Sequence, residues 1–317
     1  MLSVLAVTFP FFALVLCGYL ATRAGALALA AIGGLNGFVL YFALPAMLYR
    51  FGAQTPIAQL LDASVAGVYL LAAALLVGAT AAWARRTGLN WNDTAFTALV
   101  TAFPNTGFMG LPLLLALLGP ASAGPTIVVL TVDLVVTSSA CIALSRLDGA
   151  GAHGMGVALR KALAGMAVNP MPWSIALGAL ASWLQWRLPG PIDKTIAMLA
   201  DAASPVALFT IGTVLARSQI NQHEWVPARQ YWPPALVKLV AHPLLVWALA
   251  HGAAALGAPI EPTTVVVLVL LAALPSASNV SLLAERFQAH GGRVARIILV
   301  STVLAFLSFS AFVALLT

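Results

Sequence analysis

The sequence predicts an all-α integral membrane protein of ten transmembrane helices, arranged as two inverted five-helix repeats with broken, crossing fourth and ninth helices. Three observations predict it: a scarcity of charge, ten long apolar stretches, and helix-breaking residues at corresponding places in the two halves. Of the 317 residues, 62% are hydrophobic and 8% charged, and the mean hydropathy is +1.00. A soluble domain carries about 25% charged residues to solvate its surface. The 15 Lys and Arg and 9 Asp and Glu of this chain are too few for that. A soluble enzyme, a nucleic-acid binder and a disordered chain are therefore excluded, and a bilayer becomes the expected solvent. Cys17 and Cys141 both lie in apolar runs. Without CxxC or His-rich spacing they give no disulfide framework, metal site or cofactor site.

A helix rising 1.5 Å per residue needs roughly 20 apolar residues to cross the ~30 Å hydrocarbon core. Ten stretches qualify: 2–21, 33–52, 63–84, 94–118, 124–145, 157–184, 195–217, 233–256, 263–284 and 295–316. The first has no basic leader and outruns a secretory apolar region, so it reads as a retained span. The sixth opens with the mixed GVALRKALAGMAV and is apolar mainly from Pro170. The connectors leave no room for a soluble domain.

Basic residues set the expected orientation, because Lys and Arg are retained on the cytoplasmic side. Eleven of them, including Arg23, Arg85, Arg146, Arg160, Lys161 and Arg293, fall in odd-numbered connectors. Only Arg50, Arg187 and Lys194 fall in even ones. Both termini are thus expected outside the cytoplasm, in a multi-pass bacterial inner-membrane protein. The net charge of +6 reads as a topology signal and not as a nucleic-acid surface. Trp83, Trp91, Trp183, Trp186, Trp225 and Trp232 cluster near span ends, as interfacial belts do.

Ten spans with both termini on one side divide into five and five, and an odd number forces the halves to face opposite ways. The repeats are placed at 1–150 and 151–317. Their second spans carry Pro45 and Pro205. Their fourth spans carry TAFPNTGFMGLPLL and LAALPSASNVSLL. Pro104 removes an amide donor, and Gly107 and Gly110 weaken the helix further. Pro275 is followed by Ser276, Ser278 and Asn279, which can bond freed backbone groups. Irregular backbone at membrane depth survives where protein buries it or where it lines a wet cavity. Two such breaks predict a central crossing point, where half-helix N-termini offer N–H groups to an anion.

An ionisable side chain at mid-bilayer costs at least ~2.5–3.5 kcal/mol, so each one needs a reason. Lys238 reads in three ways: pairing with a buried carboxylate, standing in for a bound cation beneath the crossing helices, or snorkelling to an interface. Asp133 is a proton relay or the partner of Lys238. Asp201 reads as a cap or interfacial group, and is kept with them as a candidate for ion coupling or support. His242 reads as a hydrogen-bonded core histidine or a proton carrier. Asn36 is an amide ahead of a broken helix and a candidate for lining the cavity.

The run PNTGFMGLPLL resembles the auxin efflux carrier family, matching at Pro104, Asn105, Thr106, Met109, Gly110, Pro112, Leu113 and Leu114. Leu274, Pro275, Ala284 and Phe287, and the pair Leu44–Pro45, are similar too. The short central connector resembles bacterial members, malonate transporters among them. The resemblance implies ten spans in two inverted repeats, a scaffold part and a transport part, and an elevator-type carrier of a small organic anion. It also implies that Pro104, Asn105 and Pro275 sit beside the substrate carboxylate, with Thr106, Ser276 and Asn279 adjoining. The polar SASN segment favours a small, polar acid over indole-acetate.

The expected function is secondary transport of malonate or another small carboxylate, driven by a proton gradient or the membrane potential. The chain has no phosphate-binding glycine loop for ATP. It also lacks HExxH, GxSxG and paired intramembrane aspartates, which argues against an enzyme. The alternative is a sodium-coupled organic-anion symporter of bile-acid-transporter-like fold. Lys238, if it sits where a cation would bind, disfavours sodium. The partners expected are a carboxylate and the bilayer, with a homodimer left open.

Overall fold

A computed structural model describes residues 2–56, 62–147, 170–220 and 226–317. The expected repeat boundary at 150/151, the start of the sixth stretch (157–169), Arg160, Lys161 and Trp225 lie outside the described residues. Among the described residues the regular structure is helical, apart from one isolated β-bridge.

The helices in chain order are α1 (Leu2–Arg23), α2 (Ala31–Gln54), α3 (Ala63–Arg86), α4 (Trp91–Ala102) and α5 (Thr106–Leu118). They continue with α6 (Pro120–Leu144), α7 (Pro170–Trp183), α8 (Gly190–Ile220), α9 (Trp232–Ala255), α10 (Pro262–Ala272), α11 (Asn279–Arg286) and α12 (Gly291–Leu316). Among the described residues, six are long and apolar enough to cross a membrane: α2, α3, α6, α8, α9 and α12. They fall on the second, third, fifth, seventh, eighth and tenth apolar stretches. The chain is therefore a helical, multi-pass membrane protein. The fourth stretch is divided into α4 and α5, and the ninth into α10 and α11.

Four wide π-type turns interrupt these helices, at Val39–Ala43, Thr106–Gly110, Val132–Thr137 and Val237–Ala241. Such turns leave local irregularity inside a helix and recur at functional sites. One directly precedes Leu44–Pro45, because a proline ring clashes with the carbonyl four residues back and the helix widens. Pro205, its expected counterpart, lies inside the uninterrupted α8. Asp133 and Lys238 each lie within a π turn that the sequence did not announce.

The chain forms two compact units of interleaved segments. The first comprises Met1–Asp62, Thr106–Val128 and Asn169–Asn221. Within it α1 packs on α8, and α2 packs on α7 and α8. Glycines allow the close approach. A Cβ at Gly18 would run into the Phe209 carbonyl, and one at Gly212 into that of Val15. A Cβ at Gly178 would lie 2.6 Å from the Tyr49 carbonyl oxygen. Helices in lipid lack a hydrophobic drive to associate, so small residues that permit tight van der Waals contact take its place.

The second unit comprises Ala63–Asn105, Val129–Val168 and Gln222–Thr317. Within it α3 packs on α4 and α9, α9 on α10, and α12 on α4 and α11. The half-helices lie in its core. Thr94–Ala102 of α4 and Val267–Ala272 of α10 are buried throughout. The threonines of α4 are tolerated there because Thr97 and Thr101 donate to the carbonyls of Asp93 and Thr97, one turn back. Burial inside protein is what permits a broken backbone at membrane depth.

Candidate functional site

α4 begins at Asn90, whose side chain accepts the Asp93 N–H at 2.7 Å as an N-cap. It stops at Pro104. The residue before a proline is forced out of helical geometry, and Phe103 is extended at φ −89°, ψ 104°. α10 starts with Pro262 in its first turn and ends at Ala272, three residues before Pro275.

The two breaks meet. Pro104 and Ser276 form an isolated antiparallel bridge. The Asn105 N–H donates to the Pro275 carbonyl at 2.8 Å, and the Ala277 N–H donates to the Phe103 carbonyl at 2.9 Å. The Ser276 N–H donates to Ser301 Oγ of α12 at 3.1 Å. Each break thus satisfies backbone groups freed by the other. The sequence pattern assigns that task to the side chains of Ser276, Ser278 and Asn279 and leaves the amides for an anion. Three of those amides are engaged instead. The side chains are what remains: Ser276 Oγ and Asn279 Oδ1 are buried and have no hydrogen-bond partner among the described residues. A buried polar atom without a partner costs about 1–3 kcal/mol, so a ligand that supplies one is favoured.

Pro104, Asn105, Pro275 and Ser276 are therefore brought together in the second unit, all buried, with Asn279 opening α11 beside them. Thr106 and Asn36 belong to the first unit. Thr106 Oγ1 and Asn36 Nδ2 are likewise buried without partners among the described residues. Asn36 lies just before the π turn of α2.

Asp133, Lys238 and His242 are fully buried in the second unit. Tyr69 Oη donates to Asp133 Oδ2 at 2.9 Å, and Thr137 Oγ1 donates to Asp133 Oδ1 at 3.1 Å. Lys238 Nζ donates to the Ala272 carbonyl at 2.6 Å and lies 3.1 Å from His242 Nδ1. The rings of Tyr69 and His242 are 6.0 Å apart and link the two clusters. Among the described residues no ion pair joins Asp133 to Lys238, although each is within electrostatic reach of the other. Full burial removes the snorkelling reading of Lys238. Its ammonium caps the last carbonyl of α10, where the helix dipole favours a cation. His242 is buried as a core histidine, yet its Nε2 has no partner among the described residues. Asp201 is exposed and pairs with Arg50 at 2.9 Å in the first unit, which suits its interfacial reading.

Sequence reasoning missed Tyr69 and Ser301. The signal for Tyr69 was present: a single hydroxyl-bearing ring in the apolar run VAGVYLLAAALL. Ser301, in IILVSTVLAF, looks like any small residue of a span, and nothing in the sequence marks the amide it serves.

Multiple apolar spans, with a pair of joined backbone breaks and buried charges inside one unit, define the class: a multi-pass helical membrane protein. The model of the family described as "Membrane transport protein" matches residues 3–153 and 155–313. The chain belongs to this family of transporters, that of the auxin efflux carriers, and it is not an enzyme. It is 30% identical over 311 residues to a Rhizobium meliloti (strain 1021) protein named "Putative malonate transporter", covering 96% of this chain and 93% of that one. An "Uncharacterized transporter" of Methanothermobacter thermautotrophicus is 26% identical over 297 residues, covering 93% and 92%. "Auxin efflux carrier component 3a" of Oryza sativa subsp. japonica is 34% identical over 110 residues, 32% of this chain and 17% of that one. A small-molecule substrate and a membrane setting follow from the family.

Proposed function

We propose that this transporter carries a small carboxylate of the malonate class by elevator-type alternating access. Its ten spans form two inverted five-helix repeats, 1–150 and 151–317, in a bacterial inner membrane with both termini outside the cytoplasm. The observation that carries the reading is the Pro104–Ser276 bridge with the unpartnered Ser276 Oγ and Asn279 Oδ1 beside it. An unpaired hydroxyl and an unpaired amide oxygen together suit a ligand that both accepts and donates. A half-protonated dicarboxylic acid does both. Asn105, Pro104 and Pro275 frame the turn, and Thr106 and Asn36 are further candidate ligands in the first unit.

Carrying the acid with its proton is itself proton-coupled uptake. The half-protonated acid keeps one negative charge, so a membrane negative inside opposes its entry by ~2.3 kcal/mol per 100 mV, half the penalty on the dianion, and the pH gradient must supply the difference. Lys238 and Asp133 serve as internal support, Lys238 donating to the last carbonyl of α10. Its presence there favours transport without sodium over the sodium-coupled alternative. The 30% identity to a protein named "Putative malonate transporter" supports the substrate class.

The test is uptake of labelled malonate by proteoliposomes under an imposed pH gradient, with sodium or choline as the only other cation. Saturable uptake that follows the pH gradient, ignores sodium and falls about fivefold or more in Ser276→Ala is expected. Uptake that requires sodium overturns the coupling. Wild-type kinetics in both Ser276→Ala and Asn105→Ala overturn the site.

A further inference from the structure

α4 runs into the bridged turn and α11 runs out of it, and their far ends are joined again. Asp93, in the first turn of α4, uses both carboxylate oxygens for this. Its Oδ1 accepts the His290 N–H at 2.8 Å, and its Oδ2 lies 3.5 Å from Arg293 Nη1. The Arg293 side chain is only 5% exposed, and its Nε donates to Gln230 Oε1 at 3.2 Å. Next to Asp93, Asn92 Nδ2 donates to the Phe287 carbonyl at 2.9 Å. The Phe287 ring lies 5.7 Å from that of Phe96, one turn along α4.

The bridged turn is held by two main-chain hydrogen bonds between its strands and by no ladder beyond them. Its register is therefore set by the helices that enter and leave it. From Asp93 to Ala102 is about 14 Å of continuous helix, ending directly before the turn and stiff enough to carry a slide or rotation from one end to the other. We propose that Asp93 and Arg293 are positioning residues. Their clasp fixes α4 against the start of α12, just beyond the end of α11, and so aligns the Pro104–Ser276 turn for the substrate. The ligand in this inference rests on the proposed function; the alignment of the turn does not.

The full-length protein in nanodiscs tests the alignment by hydrogen exchange at the Asn105 and Ala277 amides. Proteoliposomes test its consequence by malonate KM and Vmax. Removing the carboxylate charge leaves the buried Arg293 guanidinium without its acidic partner, so Asp93→Asn acts strongly. It is expected to speed exchange at both amides about tenfold while α3 stays protected. KM should rise about fivefold with Vmax held within about twofold, the mark of lost binding and not of a lost transport step. Asp93→Glu, which keeps the charge and the acceptor, restores most of both. Arg293→Lys, which keeps the charge and loses the fork, gives the same pattern more weakly and serves if Asp93→Asn fails to fold. Turn amides that exchange as in wild type, or faster exchange everywhere with KM unchanged, overturn the proposal. Absence of malonate uptake in the wild type would sink the substrate reading alone, because the exchange comparison still decides the clasp.

Discussion

The two units solve the same problem by opposite means. In the first, helix axes come together through glycines: Gly18 and Gly212 bring α1 onto α8, and Gly52 and Gly178 bring α2 onto α7. Its Arg50–Asp201 ion pair is exposed. In the second, polar groups are taken inside and bonded there: Tyr69 to Asp133, Lys238 to the Ala272 carbonyl, and one broken backbone to the other. The difference teaches where rigidity and where function are expected. Tight backbone contact has one good arrangement and little reason to titrate or bind. A buried polar network is costly unless complete, so its loose ends are informative. Among the described residues of the second unit those ends are Ser276, Asn279, His242 and Ser308.

The comparison breaks first at the glycines. Gly212→Leu sets a branched side chain against the Val15 carbonyl and should cost about 3 kcal/mol or more. The expected result is loss of the monodisperse peak in detergent, or a large fall in thermal midpoint. An unchanged midpoint would mean that α1 and α8 are not apposed through backbone. Next is Lys238→Met, which leaves the Ala272 carbonyl buried without its donor at a cost of about 2 kcal/mol. Combining it with Asp133→Asn should cost less than the sum of the two single changes, since groups within electrostatic reach couple. Strict additivity by thermal denaturation would show that the two charges are independent. The smallest effect belongs to Asp201→Asn in the first unit, under about 0.5 kcal/mol, because an exposed pair is screened. A larger loss, or an effect on transport, would give the first unit an ionic role that its packing does not suggest.

Much of the site was legible as punctuation. PNTG and PSASN each combine a proline with small polar residues inside an apolar run, and both became breaks. Lys238 and Asp133 stood out as deep charges, and both proved fully buried. Their partners were not legible. The carbonyl of Ala272 and the hydroxyl of Ser301 have no sequence signature, since any residue carries the first and many spans carry the second. The π turns were hidden for a similar reason, because one extra residue in a helical turn leaves the apolar pattern almost intact. Pro205 warns in the other direction: a proline marks a weak point in a helix, and packing decides whether it opens.

Composition determined that this chain lives in a bilayer, because 24 charges cannot solvate 317 residues, and unbroken apolar runs of about 20 residues determined that it is helical, because lipid offers the backbone no partners. Sequence also located the helix breaks, because proline lacks an amide wherever it occurs. Only the tertiary structure decided that the breaks bond to each other and leave side chains, not amides, for a ligand. That outcome depends on which carbonyl lies within 3 Å of which donor, and residues 171 apart in the chain, such as Pro104 and Pro275, meet through folding and through nothing written locally.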